Sequence, residues 1–149
     1  SYTESDTITP GDHVVVVDTP FGRLGLAICY DLRIPELFRA MVDQGMEICA
    51  LPSAFTSLTG KVHWESLLRS RAIENLSFMV AADQGGYHVG GRETHGDSMI
   101  VDPWGLVLNR LPHGTGVVVA NVDISKLEHT RKMFPALQHK QFVCQQHAK

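Results

Sequence analysis

The sequence predicts a layered α/β (α+β) fold, and three features carry that expectation. Short β-branched or apolar runs recur along the chain. Two stretches switch to a helical apolar period, and Pro, Gly and Asp clusters punctuate the joins. At 149 residues the chain suits one compact domain, 1–149, and it shows no repeat, linker or low-complexity stretch.

Residues 1–12 are polar and turn-rich and read as loop. Four consecutive valines end the 13–17 segment, a β-branched run suited to a strand. Thr19-Pro20-Phe21-Gly22 is turn chemistry, and residues 24–29 are apolar on both faces, so the pair reads as a hairpin ending inside a sheet. From Pro35 the period becomes helical: Leu37, Phe38, Met41 and Val42 form one stripe, with Gly45 as the stop. A buried strand follows at 48–51, a polar loop at 53–60, a helix at 63–75 and a strand at 78–82. The glycine-rich 85–91 segment, leading on to His95, reads as a flexible loop. Strands at 98–101 and 106–108 flank the turn Asp102-Pro103-Trp104-Gly105, and 116–122 is one more strand. Asp123 then caps a helix beginning at Ile124, and 135–149 reads as an extended tail.

Thirteen basic residues against sixteen acidic give a net charge of −3, which disfavours a phosphate-binding surface, so no nucleic-acid partner is expected. A hydrophobic content of 44% is enough to build a core, which argues against disorder. No apolar run approaches the roughly 20 residues of a bilayer span, so no membrane partner is expected. Cys29, Cys49 and Cys144 cannot all pair within one chain, and two lie in apolar runs. Free thiols and a cytoplasmic location are the reading. The eight histidines fall at no metal-ligand spacing, so no metal site is expected.

The sharpest local feature is Gly25-Leu26-Ala27-Ile28-Cys29-Tyr30-Asp31, continuing Leu32-Arg33-Ile34-Pro35-Glu36. It puts a thiol at the end of a buried strand, just before a turn and a helix. That placement suits a nucleophile elbow, where neighbouring backbone N–H groups can face an oxyanion. The same residues also suit an inert, apolar cysteine that merely finishes a strand.

Cys29-Tyr30-Asp31-Leu32-Arg33 with Pro35-Glu36 resembles the nucleophile motif of the nitrilase, or carbon–nitrogen hydrolase, superfamily. The likeness continues in order at Leu51-Pro52-Ser53-Ala54-Phe55, at His63-Trp64-Glu65 with Arg71-Ala72-Ile73-Glu74-Asn75, and from Gly96 to Gly105. It is nearest to the Nit branch, which holds deaminated glutathione amidase and omega-amidase. The resemblance implies a nitrilase-like αββα sandwich. It also implies cofactor-free hydrolysis of a small linear amide by a Glu–Lys–Cys triad, through a thioester and with release of ammonia.

By that resemblance Cys29 is the nucleophile and the Tyr30 N–H a backbone oxyanion donor. Glu4 matches a further acidic residue of the family site, with a solvated glutamate as the alternative. Ser53, Ala54 and Phe55 match residues bordering the substrate, and His63 either joins them or is a structural histidine. Arg33 and Glu36 read as an ion pair supporting the elbow, and Arg71 with Glu74 as fixing a helix against the sheet. The family's glutamate and lysine both precede its cysteine, and no lysine precedes Cys29 here. The sandwich is therefore expected to be incomplete, lacking its N-terminal part, and the chain to have little activity alone. Lys61 and Glu65, beyond Cys29, are candidate substitutes beside Glu4, with a solvated lysine as the other reading of Lys61. The alternatives are a non-catalytic binding or dimerisation module, or one chain of a split enzyme whose partner supplies the missing half. A homodimer is expected by the same resemblance.

Overall fold

The computed structural model describes residues 4–145, and the last residues of the expected tail, 146–149, lie outside the described part. Val16–Thr19 (β1) and Gly22–Leu26 (β2) form the expected hairpin, with Thr19 paired to Gly22. Its turn is closed by the Thr19 hydroxyl, which donates to the Gly22 carbonyl at 2.6 Å and accepts the Phe21 N–H at 3.2 Å. Gly22 sits at φ +129°, a conformation that a Cβ would oppose. The valine run joins β1 at Val16, and just before it the Val15 carbonyl still accepts the Leu26 N–H at 3.1 Å.

Beyond β2 the chain forms a 3-10 turn, Cys29–Arg33, then helix Pro35–Asp43 (α1), strand Ile48–Ser53 (β3), helix Ser57–Asn75 (α2) and strand Phe78–Asp83 (β4). Strand β2 is parallel to β3, and β3 to β4. Each connection is therefore a crossover, and both helices pack on one face of the sheet. That face holds Cys49, Leu51, Met79, Ala81, Met99 and Val101, meeting Phe38, Met41, Trp64 and Leu68 from the helices. Ser98–Val101 (β7) and Val107–Leu111 (β8) complete a six-stranded sheet in the order β1-β2-β3-β4-β7-β8. Helix Ile124–Met133 (α3) covers part of the opposite face, where Leu127 packs with Ile48 and Phe78.

The stripe expected on α1 is observed, with Phe38 and Met41 buried, and the Asp123 carboxylate caps α3 by accepting the Lys126 N–H at 3.2 Å. Four expectations need correction. Helix α2 begins at Ser57, within the segment expected to be loop, and Gly60 in its first turn is where the His95 side chain packs. A Cβ placed there would lie 2.2 Å from that of His95. The 85–91 segment is no open loop. Its start and the residues after it pair as a hairpin, Gly85–Tyr87 (β5) with Glu93–His95 (β6). Residues 116–122 form no strand: Asn109 reaches the Val119 carbonyl with its side chain at 2.8 Å, and Val117 and Val119 stay exposed. The tail is not wholly extended, since Ala136–His139 is a 3-10 turn and Lys140 pairs with Asp43 of α1.

Of the αββα sandwich, the described residues supply one helix layer and one six-stranded sheet, with the β5–β6 ribbon beside it. The second large sheet of that architecture is not among them. Away from α3, the second face of this sheet remains apolar and open at Val15, Val17 and Leu26.

Candidate active site

The expected strand reaches Leu26, not Cys29, and that difference builds the elbow. After β2 the Ala27 N–H still bonds the Ala50 carbonyl at 3.1 Å, and the chain then turns sharply. Cys29 opens the 3-10 turn at φ +46°, left-handed backbone that a residue with a Cβ adopts at a cost. Asp31 holds the bend by accepting the Ile28 N–H at 2.8 Å, while its own N–H donates to the Ile28 carbonyl at 3.0 Å. Among the described residues no acceptor takes the backbone N–H of Cys29 or Tyr30. The Cys29 side chain is half-buried against the core.

Beside it, Arg33 lies over two rings, 4.9 Å from the Phe55 centroid and 5.7 Å from that of Tyr30. Its Nη1 lies 3.0 Å from Nδ1 of His63. A guanidinium only donates, so His63 Nδ1 accepts and its proton sits on Nε2. The expected Arg33–Glu36 ion pair is therefore absent among the described residues: Arg33 has turned toward the pocket loop, and Asp31 supports the elbow instead. Arg71 is buried, donates to the Leu32 carbonyl at 3.1 Å and to Glu74 at 2.8 Å, and lies 5.6 Å from the Phe38 centroid. It thus ties α2 to the cysteine turn rather than to the sheet.

Ser53 closes β3, with Ala54 and Phe55 following it, at the same end of the parallel strands as Cys29. Phe55 is 3% exposed, packs 4.9 Å from Trp64 and makes a floor under Arg33. The Ser53 hydroxyl is buried, and the Ala54 carbonyl accepts from Arg92 at 3.3 Å. Glu4 lies in an exposed 3-10 turn, Glu4–Asp6, and no hydrogen bond joins it to Cys29 among the described residues. Glu65 is engaged by Arg110 at 3.0 Å, and Arg110 also clamps Asp97, so Glu65 serves a cross-link between α2 and the sheet. Lys61 lines a groove with Glu65 and Arg69 along α2.

Cys49 differs from Cys29. Burial, with the Asp31 carboxylate adding, pushes its thiol up to about 12, which leaves it protonated and unreactive. Asp83 is the titratable residue that the sequence reading missed. Burial first, and the Asp97 charge second, push its carboxyl up to about 6 against the opposing N–H groups of Phe55 and Gly96. Its signal in the sequence is a carboxylate closing an apolar strand run. Among the described residues no cluster of three or more His, Cys, Asp or Glu side chains could hold a metal, and no helix is long and apolar enough to cross a membrane.

Cys29 is thus held left-handed at a strand-to-turn junction, beside two backbone N–H groups that no acceptor takes among the described residues. The carbon–nitrogen hydrolase family profile matches residues 1–132. This chain belongs to the carbon–nitrogen hydrolase family. It is 48% identical over 142 residues to a deaminated glutathione amidase of Yersinia enterocolitica, covering 95% of this chain and 50% of that relative. The NitFhit protein of C. elegans superposes with a TM-score of 0.90 at 44% identity, over 94% of this chain and 34% of that one. Nit3 of Saccharomyces cerevisiae, a member of branch 10 of the nitrilase superfamily, does so with a TM-score of 0.86 at 32% identity, over 93% and 51%. The chain spans about half the length of the curated relatives it matches. These likenesses place the described layers within the nitrilase-superfamily α/β fold.

Proposed function

We propose that this chain carries the nucleophile-bearing part of an amidase that hydrolyses a small linear amide, such as deaminated glutathione or the omega-amide of a dicarboxylate. The observation that carries the reading is Cys29 at φ +46° beside the N–H of Tyr30, which no acceptor takes among the described residues. The Cys29 thiolate attacks the amide carbon, and the developing oxyanion lies against the Tyr30 N–H. The C–N bond then breaks as the proton taken from the thiol by the general base passes to the nitrogen, which leaves as ammonia from an omega-amide or as an amine from deaminated glutathione. Water attacks the resulting thioester, giving the carboxylate and restoring the thiol. No cofactor enters these steps. Ser53, Ala54 and Phe55 form the substrate side of the pocket, with His63 at its rim beside Arg33, and Glu4 supports the site when its terminus folds over.

The general base and the oxyanion lysine come from another stretch of polypeptide. No lysine precedes Cys29 in these 149 residues, and Glu65, the candidate substitute carboxylate, is bound to Arg110. That stretch completes the sandwich as its N-terminal half, and the assembled protein is a cytoplasmic homodimer. Catalytic groups act as a unit, so the chain alone turns over little or no amide.

The test is ammonia release from a panel of omega-amides, using the chain and its Cys29→Ala variant, each with and without a polypeptide carrying the family glutamate and lysine. The expected result is turnover only when the intact chain and that polypeptide are combined. Turnover that survives Cys29→Ala would overturn the assignment. Amide binding without turnover in every combination would favour the non-catalytic module.

A further inference from the structure

Asp83 closes β4 with 6% of its surface exposed, and its Oδ1 accepts the Phe55 N–H at 2.8 Å. Its Oδ2 is buried without a partner among the described residues, and so is the Ser53 hydroxyl. Ser53 is the register partner of Asp83 on the parallel strand β3, so both side chains leave the same face of the sheet. Together with His95, Asp97 and His113, Asp83 lines a cavity of about 180 Å³ at the root of the β5–β6 hairpin. The hairpin grips the same segment from its other side. The Phe55 carbonyl accepts the His95 N–H at 2.8 Å, and Thr56 bridges to Thr94.

We propose that Asp83 is a positioning residue for the substrate-bordering segment 53–56, its carboxylate locking Phe55 in place and its protonation loosening that lock. The substrate role of the segment rests on the amidase reading, whereas the lock itself does not. As a carboxylate, Asp83 gives Phe55 a charge-assisted acceptor, about twice as strong as a neutral one. The proton goes to Oδ2, which accepts no hydrogen bond among the described residues, although the nearby Gly96 N–H favours the charged carboxylate. Oδ1 is then a neutral carbonyl oxygen, and its hold on the Phe55 N–H weakens. Phe55 is the floor beneath Arg33, so the change reaches the surface beside Cys29.

The groups around Asp83 favour a switch in the mildly acidic range. Its titration sits at about 6, raised by burial and by Asp97. Asp97 is held by Arg110, which also binds Glu65. His95 is pushed below its ordinary value by burial, with Asp97 opposing and His113, Lys61 and Arg110 adding to the push. That push works against charging His95.

The experiment is a pH titration of the isotope-labelled chain by NMR, following the Asp83 carboxyl carbon and the Phe55 amide together. Both are expected to move with a common midpoint of about 6, the Phe55 amide proton shifting upfield on acidification. In Asp83→Asn, which keeps an acceptor oxygen but cannot ionise, the Phe55 transition is expected to vanish, which separates it from any effect of His95. A carboxyl titrating in the ordinary aspartate range, or a Phe55 transition that persists in the variant, would overturn the proposal. Should the variant not fold, the wild-type carboxyl titration decides alone.

A parallel measurement follows alkylation of Cys29 by iodoacetamide, with butyramide as protecting probe, above and below the midpoint. Protection is expected to fall severalfold on acidification in the wild type and to stay constant in Asp83→Asn. Absence of protection at either pH even with the polypeptide carrying the family glutamate and lysine added, with Asp83 and Phe55 still titrating together, would remove the amidase reading while upholding the lock.

Discussion

Cys29 occupies left-handed backbone space, and the cost of that position is a measure of what holds it. The Asp31 bracket at Ile28 and the Arg71 bond to the Leu32 carbonyl fix the turn on either side. Glycine is at ease where Cys29 is strained, so Cys29→Gly is expected to raise the urea midpoint while abolishing thiol chemistry. The gain should be below roughly 1 kcal/mol, since the added freedom of the unfolded chain opposes it. Alkylation by iodoacetamide at mildly alkaline pH, read by mass spectrometry, is expected to modify Cys29 and spare Cys49, whose thiol is pushed up to about 12. Asp83 contributes a pH dependence of definite sign. Its folded value of about 6 lies above the ordinary 3.8, so the folded state binds the proton more tightly than the unfolded state. Its contribution to stability therefore grows as pH falls from about 6 toward 3.8 and is unfavourable above that window. Asp83→Asn is expected to unfold at higher urea than the wild type above the window, with the difference closing on acidification.

At the scale of elements, α2 joins the parts of the site. Its buried face carries Trp64, Leu68 and Arg71, with His63 meeting Arg33 at one side and Glu65 meeting Arg110 at another. Gly60 in its first turns is a contact and not a helix stop. Alanine there gains about 1 kcal/mol in helix propensity but collides with His95. Gly60→Ala is expected to destabilise the chain by about 2 kcal/mol net, as overpacking does, and to disturb the His95 bond to Phe55, visible as a shift of the His95 amide. The start of α2 was illegible in the sequence for this reason, because a glycine after Ser, Thr and Leu reads as a breaker until the partner strand is placed against it. The β5–β6 hairpin was hidden similarly. Its strands are three residues each and pair without any alternation of apolar and polar residues to announce them.

For the whole molecule, the sheet carries an unequal pair of faces. The helix-covered face is closed by α1 and α2, while the other is closed by α3 at one end and presents Val15, Val17 and Leu26 at the other, the last 43% exposed. An apolar sheet surface left open promotes association. Leu26→Gln is expected to reduce self-association of the chain in sedimentation, with a stability change of no more than about 0.5 kcal/mol because the side chain is already exposed. The sequence by itself determined the order of most strands and helices, through apolar periods and turn residues that act locally. It also determined the family, through motifs that lie within a few residues of one another. Tertiary structure alone decided where β2 ends and why Cys29 turns left-handed, since the strand stops where the β3 ladder and the Asp31 bracket meet. It alone turned Arg33 from Glu36 to His63 and buried Asp83 beside Phe55. Those pairings join residues some thirty positions apart, and no local pattern encodes the dielectric or the neighbours that such contacts create.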